Sequence, residues 1–387
     1  MREKSTAIIL TTVAVLLFSG ATAQAQTFTT LYSFTGSTDG GFPYAGIIMA
    51  NSNFYGTASV GGTVGAGVVY EVSSSGTENT IYSFAGWPDG ADPEAPLIRD
   101  SQGNLYGTTI FGGANKVYGT VFEIDNAGKE TVLYSFAGGS KDGCSPSGVL
   151  VEYKAALYGT TSVCGAYNQG TVFKLTKTGK ETVLHSFRGG ASDGSNASLS
   201  GLVLDKKQGV FYGVTMAGGA AGNGVLYKMS PKGKVTVLHS FAGGSSDGCN
   251  PLGTPVLDYD GNLYGIANAC GTDNYGIIWK ATKQGKETIL HNFAGGPNDG
   301  AYPYIGVSLD AKGNIYGTTT EGGTDKLHGV AYELSKGGTL TLLHSFTYSD
   351  GAYPYGPVLV DSNGDVYGTA LGGGTGRHGI VWSITRK

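Results

Sequence analysis

Residues 197–241 read ASLSGLVLDKKQGVFYGVTMAGGAAGNGVLYKMSPKGKVTVLHSF, and four short stretches stand out in them: 199–205 (LSGLVLD), 210–215 (VFYGVT), 224–229 (GVLYKM) and 235–241 (VTVLHSF). Each is rich in β-branched and aromatic residues, and each is bounded by Gly, Pro or Lys-Gly punctuation, the pattern of strands joined by hairpins. Gly209 and Gly233 sit where tight turns call for positive φ. Four such strands form one small antiparallel sheet. Alone it leaves both faces in water, so it needs neighbours of its own kind.

Working outward, those neighbours are present. The closing Phe recurs at Phe34, Phe84, Phe136, Phe187, Phe241, Phe293 and Phe346, at intervals of 50 to 54 residues. After each comes Asp-Gly, then Tyr-Gly, then a glycine-rich loop. Seven repeats of four strands predict an all-β, seven-bladed β-propeller occupying residues 27–387 as one domain. A parallel β-helix is the alternative. The chain ends decide between them: residues 27–34 form an outermost strand and residues 379–385 a third strand, so one repeat is split between the termini. A closed ring gains from this, because the N-terminal strand completes the last blade and covers its exposed edge.

Three aromatic positions recur per repeat: the motif Phe, the Tyr of Tyr-Gly (Tyr55, Tyr106, Tyr158, Tyr212, Tyr264, Tyr316, Tyr367) and a third-strand ring (Tyr70, Phe122, Phe173, Tyr227, Trp279, Tyr332, Trp382). These account for 21 of the 42 aromatic residues, so half the aromatic content is expected in packing between blades. The glycine after each Tyr is expected to let a neighbouring sheet approach closely. With its Leu-x-Ser-Phe, Asp-Gly, Tyr-Gly-Thr and Gly-Gly elements, the repeat resembles the GloVer-type tandem repeats of bacterial secreted proteins over essentially the whole chain after its leader. The resemblance implies a secreted propeller-like protein and transfers no activity.

Residues 1–25 read as a signal peptide, with Arg2 and Lys4 before an apolar run, and small residues that place cleavage after Ala23 or Ala25. No other segment is apolar enough to span a membrane, so the protein is expected to be secreted, extracellular or periplasmic. Without the leader the net charge is −5, which argues against nucleic acid, whose binding relies on clustered Lys and Arg. A monomer without cofactor or metal is expected. The four cysteines fall in two repeats only: Cys144 and Cys249 two residues after the motif Asp, Cys164 and Cys270 six after the motif Tyr, where five other repeats have Gly. Both positions lie at one upper edge of an antiparallel strand pair, predicting disulfides Cys144–Cys164 and Cys249–Cys270.

Several motifs are decoys. Ser192 and Ser246 lie in Gly-x-Ser-x-Gly matches without the strand-to-helix turn of a hydrolase elbow, and Gly374-x-Gly376-x-x-Gly379 opens a strand rather than a helix. The seven Asp-Gly aspartates (Asp39, Asp89, Asp142, Asp193, Asp247, Asp299, Asp350) recur in every blade, as expected of residues capping their own turns. Asp258-Tyr-Asp260-Gly261 begins like a calcium loop but lacks the later ligands. His185, His239, His291 and His344 share a position with Tyr32, Tyr82 and Tyr134, which reads as outer-strand packing.

Differences between blades point to function. On either side of the loop Pro stand Phe42 and Tyr44 entering blade 1, Tyr302 and Tyr304 entering blade 6, and Tyr353 and Tyr355 entering blade 7. Blades 3 to 5 carry Ser145/Ser147, Asn196/Ser198 and Asn250/Leu252 instead. Blades 6, 7 and 1 are consecutive in a closed ring, so these rings, with His328, Arg377 and His378, are expected to form one ligand-binding arc on the upper face, extended by Trp87 and Tyr118. Aromatic rings with a few polar donors suit a carbohydrate. The leading expectation is a binding module for a glycan or an extracellular protein. The alternative is a polysaccharide lyase or hydrolase, with Tyr355 or His378 as base and Arg377 neutralising an acidic sugar.

Overall fold

The structure, a computed structural model, describes residues 26–386; the signal-peptide reading lies outside them. It is a seven-bladed β-propeller in which each blade is a four-stranded antiparallel sheet. In blade 4 the strands are Val203–Asp205, Val210–Thr215, Val225–Met229 and Val235–Ser240, from the central channel outward. The expected innermost strand, 199–205, is four residues too long. Leu199 has φ 55°, off the ladder, and the chain before it pairs separately, Gly194–Ser195 against Ala217–Gly218, as a small ribbon above the blade. Among the described residues the one helical turn is Gly244–Ser246.

The ring closes as the split repeat requires. Gln26–Ser33 lies antiparallel to Ile380–Arg386, with Thr29 opposite Ser383 and Thr30 opposite Trp382. Blade-to-blade packing then repeats without a break. Each motif Phe, on the outer strand of one blade, meets the third-strand ring of the next: Phe34–Tyr70 at 4.9 Å between centroids, Phe136–Phe173 at 5.2 Å, Phe346–Trp382 at 5.7 Å. All seven motif Phe residues are at most 1% exposed. Burying such a ring contributes roughly 1.5 to 3 kcal/mol, and edge-to-face contact adds roughly 0.5 to 1.5.

The glycine of Tyr-Gly has a different partner from the one its sequence suggests. Gly56 lies opposite Tyr70 within its own blade, and a Cβ there would stand 2.4 Å from the Tyr70 hydroxyl; at Gly213 and Gly368 it would strike Tyr227 and Trp382. The third-strand ring lies across the glycine of the neighbouring strand in the same sheet. Between blades the following Thr does the work: Thr160 Oγ1 donates to the Ser200 carbonyl at 2.6 Å and Thr369 Oγ1 to the Ala45 carbonyl at 2.8 Å.

Both disulfides form as the cysteine positions indicated, Cys144–Cys164 and Cys249–Cys270, each with a Cα separation of 5.5 Å. Cys164 and Cys270 have φ 65°, while the glycines replacing them elsewhere have φ of 73° to 96°. A left-handed position is thus filled by a cross-linked residue in two blades.

Candidate functional site

The Asp-Gly aspartates are structural, and the residues they hold are the motif Tyr and His. Asp39 accepts from Tyr32 Oη at 2.9 Å, Asp142 from Tyr134 Oη at 2.9 Å, and Asp247 pairs with His239 Nε2 at 3.1 Å. Asp89, Asp193, Asp299 and Asp350 make the same pair with Tyr82, His185, His291 and His344. In each blade the aspartate also accepts from a backbone N–H just after the motif Phe, such as Ala242 N at 2.7 Å. Burial opposes ionisation of Asp193 and Asp247, but these hydrogen bonds outweigh it and hold both carboxyls below their ordinary range. Asp258 is likewise committed to its own turn through Asn262 N at 2.7 Å and Tyr264 Oη at 3.0 Å. Ser192 lies in an exposed loop and Ser246 ends the single helical turn.

On the upper face eight of the nine candidate residues fall into two tiers rather than one arc, and Arg377 belongs to neither. The position before the loop Pro, which in blade 4 is Asn196 before Ala197, is left-handed in every blade, from Phe42 at φ 55° to Asp92 at φ 59°, Ser145 at 54° and Tyr353 at 55°. Such strain often marks function. Here it recurs in all seven blades and so belongs to the scaffold. Its backbone N–H donates to the residue preceding the third strand of the previous blade: Phe42 N to His378 O at 2.8 Å, Tyr302 N to Tyr275 O at 2.9 Å, Tyr353 N to His328 O at 3.0 Å. The side chains follow the same pairing, Phe42 with His378 at 5.4 Å, Tyr302 with Tyr275 at 5.5 Å and Tyr353 with His328 at 5.9 Å. These are three separate pairs. Tyr118 holds the equivalent place above Ser145, whereas Trp87 binds within its own blade, its Nε1 donating to Ala114 O at 3.2 Å.

The residue after the Pro forms the inner tier. There Tyr304 meets Tyr355 edge-on at 4.3 Å, and Tyr355 meets Tyr44 at 5.3 Å, giving one run of rings from blades 6, 7 and 1. Glu94 continues it in blade 2, and Ser147 and Ser198 occupy the position in blades 3 and 4. Burial pushes the phenols of Tyr44, Tyr304 and Tyr355 up, Tyr44 to about 12, so all three stay protonated donors at neutral pH. A phenol that holds its proton is a poor base. Burial, helped by Asp92, raises the Glu94 carboxyl to about 7. Glu94, Asp92 and Tyr44 line a pocket of about 350 Å³. Arg377 is exposed, and the carboxyl groups that push the three phenols up are Glu94 and Asp92 at Tyr44, Glu94 at Tyr304 and Glu321 at Tyr355.

Sequence reasoning missed Glu94 and Tyr275. Tyr275 precedes a third-strand glycine, as His328 and His378 do, and that signal was available. Glu94 carried no such signal, being an acid at a position that holds Tyr in blades 1, 6 and 7. Below the mouth the central channel holds an apolar space of about 550 Å³ to which every blade contributes, including Ile48, Ile98, Val203 and Val256.

The repeat pattern of the Gloeobacter/Verrucomicrobia repeat matches residues 15–206 and 198–387. The chain belongs to this repeat family. No protein of curated function matches it in sequence. Among solved structures it is similar to the extracellular domain of a candidate one-component system from B. thetaiotaomicron (TM-score 0.57, 10% identity over 93% of this chain), of which it spans 40%. It is also similar to a candidate 6-phosphogluconolactonase from Bacteroides uniformis (TM-score 0.53, 15% identity, 82% of this chain and 88% of that one). A puromycin hydrolase shares the fold at TM-score 0.54 and 12% identity, over 87% of this chain and 51% of that one. At such identities the likeness is one of fold.

Proposed function

We propose that this repeat-family propeller is exported and acts as a binding module whose ligand is a glycan seated on Tyr304, Tyr355 and Tyr44. The observation that carries this reading is the run of contacts between three rings from three different blades. The scaffold does not require rings there, since blades 3 and 4 fold with Ser147 and Ser198 at the same position. Pyranose C–H faces stack on such rings, and the protonated phenols supply donors to sugar hydroxyls. Export is supported by the leader sequence of residues 1–25 and by the two disulfides. Among the described residues no helix is long and apolar enough to cross a membrane.

The negative surroundings of the tier count against an acidic polysaccharide and against Arg377 as the group that neutralises one. A hydrolytic reading is favoured by one observation, the Glu94 carboxyl at about 7, suited to general acid–base work. A glycan array with the purified chain, beside the variant Tyr44→Ala/Tyr304→Ala/Tyr355→Ala and a reducing-end assay on the glycans retained, tests both. Binding that disappears in the variant is expected. Absence of any bound glycan, or binding the variant retains, would remove the tier as the site; released reducing ends would favour the enzyme.

A further inference from the structure

The polar end of the tyrosine tier carries a second piece of chemistry. Asp92 and Glu94 both face the pocket of about 350 Å³ that Tyr44 walls. The Asp-Gly aspartates on this face are tied down, Asp247 by His239, Ala242 N and Gly248 N. The carboxyl groups of Asp92 and Glu94 have no hydrogen-bond or ion-pair partner among the described residues, the Asp92 bonds to Ala66 and Ile110 being backbone only, and burial raises both carboxyls, with Asp92 adding to Glu94. Two half-buried carboxyls left without a cation, on an aromatic wall, form a receptor for an ammonium group. The carboxylates would give charge-assisted hydrogen bonds and the Tyr44 face a cation–π contact.

Resting on the reading of the tier as a glycan site, we propose that its ligand is an amino sugar polymer, with free ammonium groups held by Asp92 and Glu94 while adjacent sugar rings stack on Tyr44, Tyr355 and Tyr304. Uronic acids and sulfated sugars are repelled by the same carboxyls and by Glu321. Neutral sugars gain only the stacking.

Titration calorimetry of the disulfide-intact chain at about pH 7, where an amine still holds much of its proton and Glu94, its carboxyl at about 7, is about half ionised before ligand arrives, tests this with three probes: a β-1,4-linked glucosamine hexamer, its fully N-acetylated counterpart and hexalysine. The glucosamine hexamer should bind at least about tenfold more tightly than either, and Asp92→Asn/Glu94→Gln should abolish that preference while leaving the N-acetylated hexamer within about twofold. Since neither carboxyl holds another group in place, the variant's melting temperature should not fall. Equal binding of the two sugar hexamers, or hexalysine binding as well as glucosamine, would overturn the amino-sugar assignment and leave the glycan site standing. If neither hexamer binds and the array is also blank, both readings fall.

Discussion

The ring of Phe28 stacks on the imidazole of His344, centroids 3.7 Å apart and planes within 7°. Phe28 belongs to the N-terminal strand that completes blade 7, and His344 to the outer strand of blade 6, so the contact holds the closing strand against the neighbouring blade. In blades 1, 2, 3 and 5 the residue equivalent to Phe28 is Glu78, Glu130, Glu181 and Glu287. The seam therefore carries a ring where those blades carry an acid.

Burial under Phe28 lowers the His344 pKa below 6.5, outweighing Asp350, which favours the charged form. The folded state prefers neutral histidine, so this contribution to stability is present above the unfolded pKa and is lost as pH falls below it. Phe28→Ala should raise the His344 pKa toward the ordinary value, followed by its imidazole proton shifts in NMR. It should also cost about 1 to 3 kcal/mol, below the range for a core ring because Phe28 is only partly buried. A His344 titration unchanged in the variant would show that the N-terminal strand does not cover it.

Glu130, Glu181 and Glu287 behave in the opposite sense. Burial, reinforced by Asp89, Asp142 and Asp247 of the preceding loops, raises each carboxyl from 4.5 to about 7. Stability from these neutral acids is complete below 4.5 and is lost as pH rises through 7. The melting temperature should fall between about pH 5 and about pH 8, and replacing the three by Gln should flatten that slope. A slope of the same size in the triple variant would assign it to other groups.

The cross-links give a third test. Each disulfide closes a loop of 20 or 21 residues, worth about 3 kcal/mol on the chain-entropy account. With Cys144→Ala as common background, Cys164→Gly should be more stable than Cys164→Ala by roughly 1 kcal/mol in chemical denaturation, because φ there is 65°. The reverse order would mean the left-handed backbone is not kept once the bond is gone.

Fold and closure were legible because the repeat is written seven times and the termini divide one copy of it. The disulfides were legible because Cys164 and Cys270 replace a glycine at a fixed distance from a motif Tyr. The Tyr or His pairing with Asp was not recognised, although the position holds only hydroxyl- or N–H-bearing rings, because donor and acceptor lie on opposite sides of a loop. The two-tier mouth was out of reach for another reason. Phe42 and Tyr44 flank one proline and look equivalent in sequence, yet the left-handed φ at Phe42 turns its ring outward onto His378 while Tyr44 joins Tyr355.

The central claim, that the tyrosine run is where ligand sits, is tested most directly by covalent footprinting of the chain with and without an array-selected glycan, read by mass spectrometry at single residues. Tyr259 on the lower face, 87% exposed, serves as the internal reference. The account predicts protection of Tyr44, Tyr304 and Tyr355 with Tyr259 unchanged. Protection confined to Tyr259 and the lower hairpins, with the three mouth tyrosines labelled as in the free protein, would contradict it.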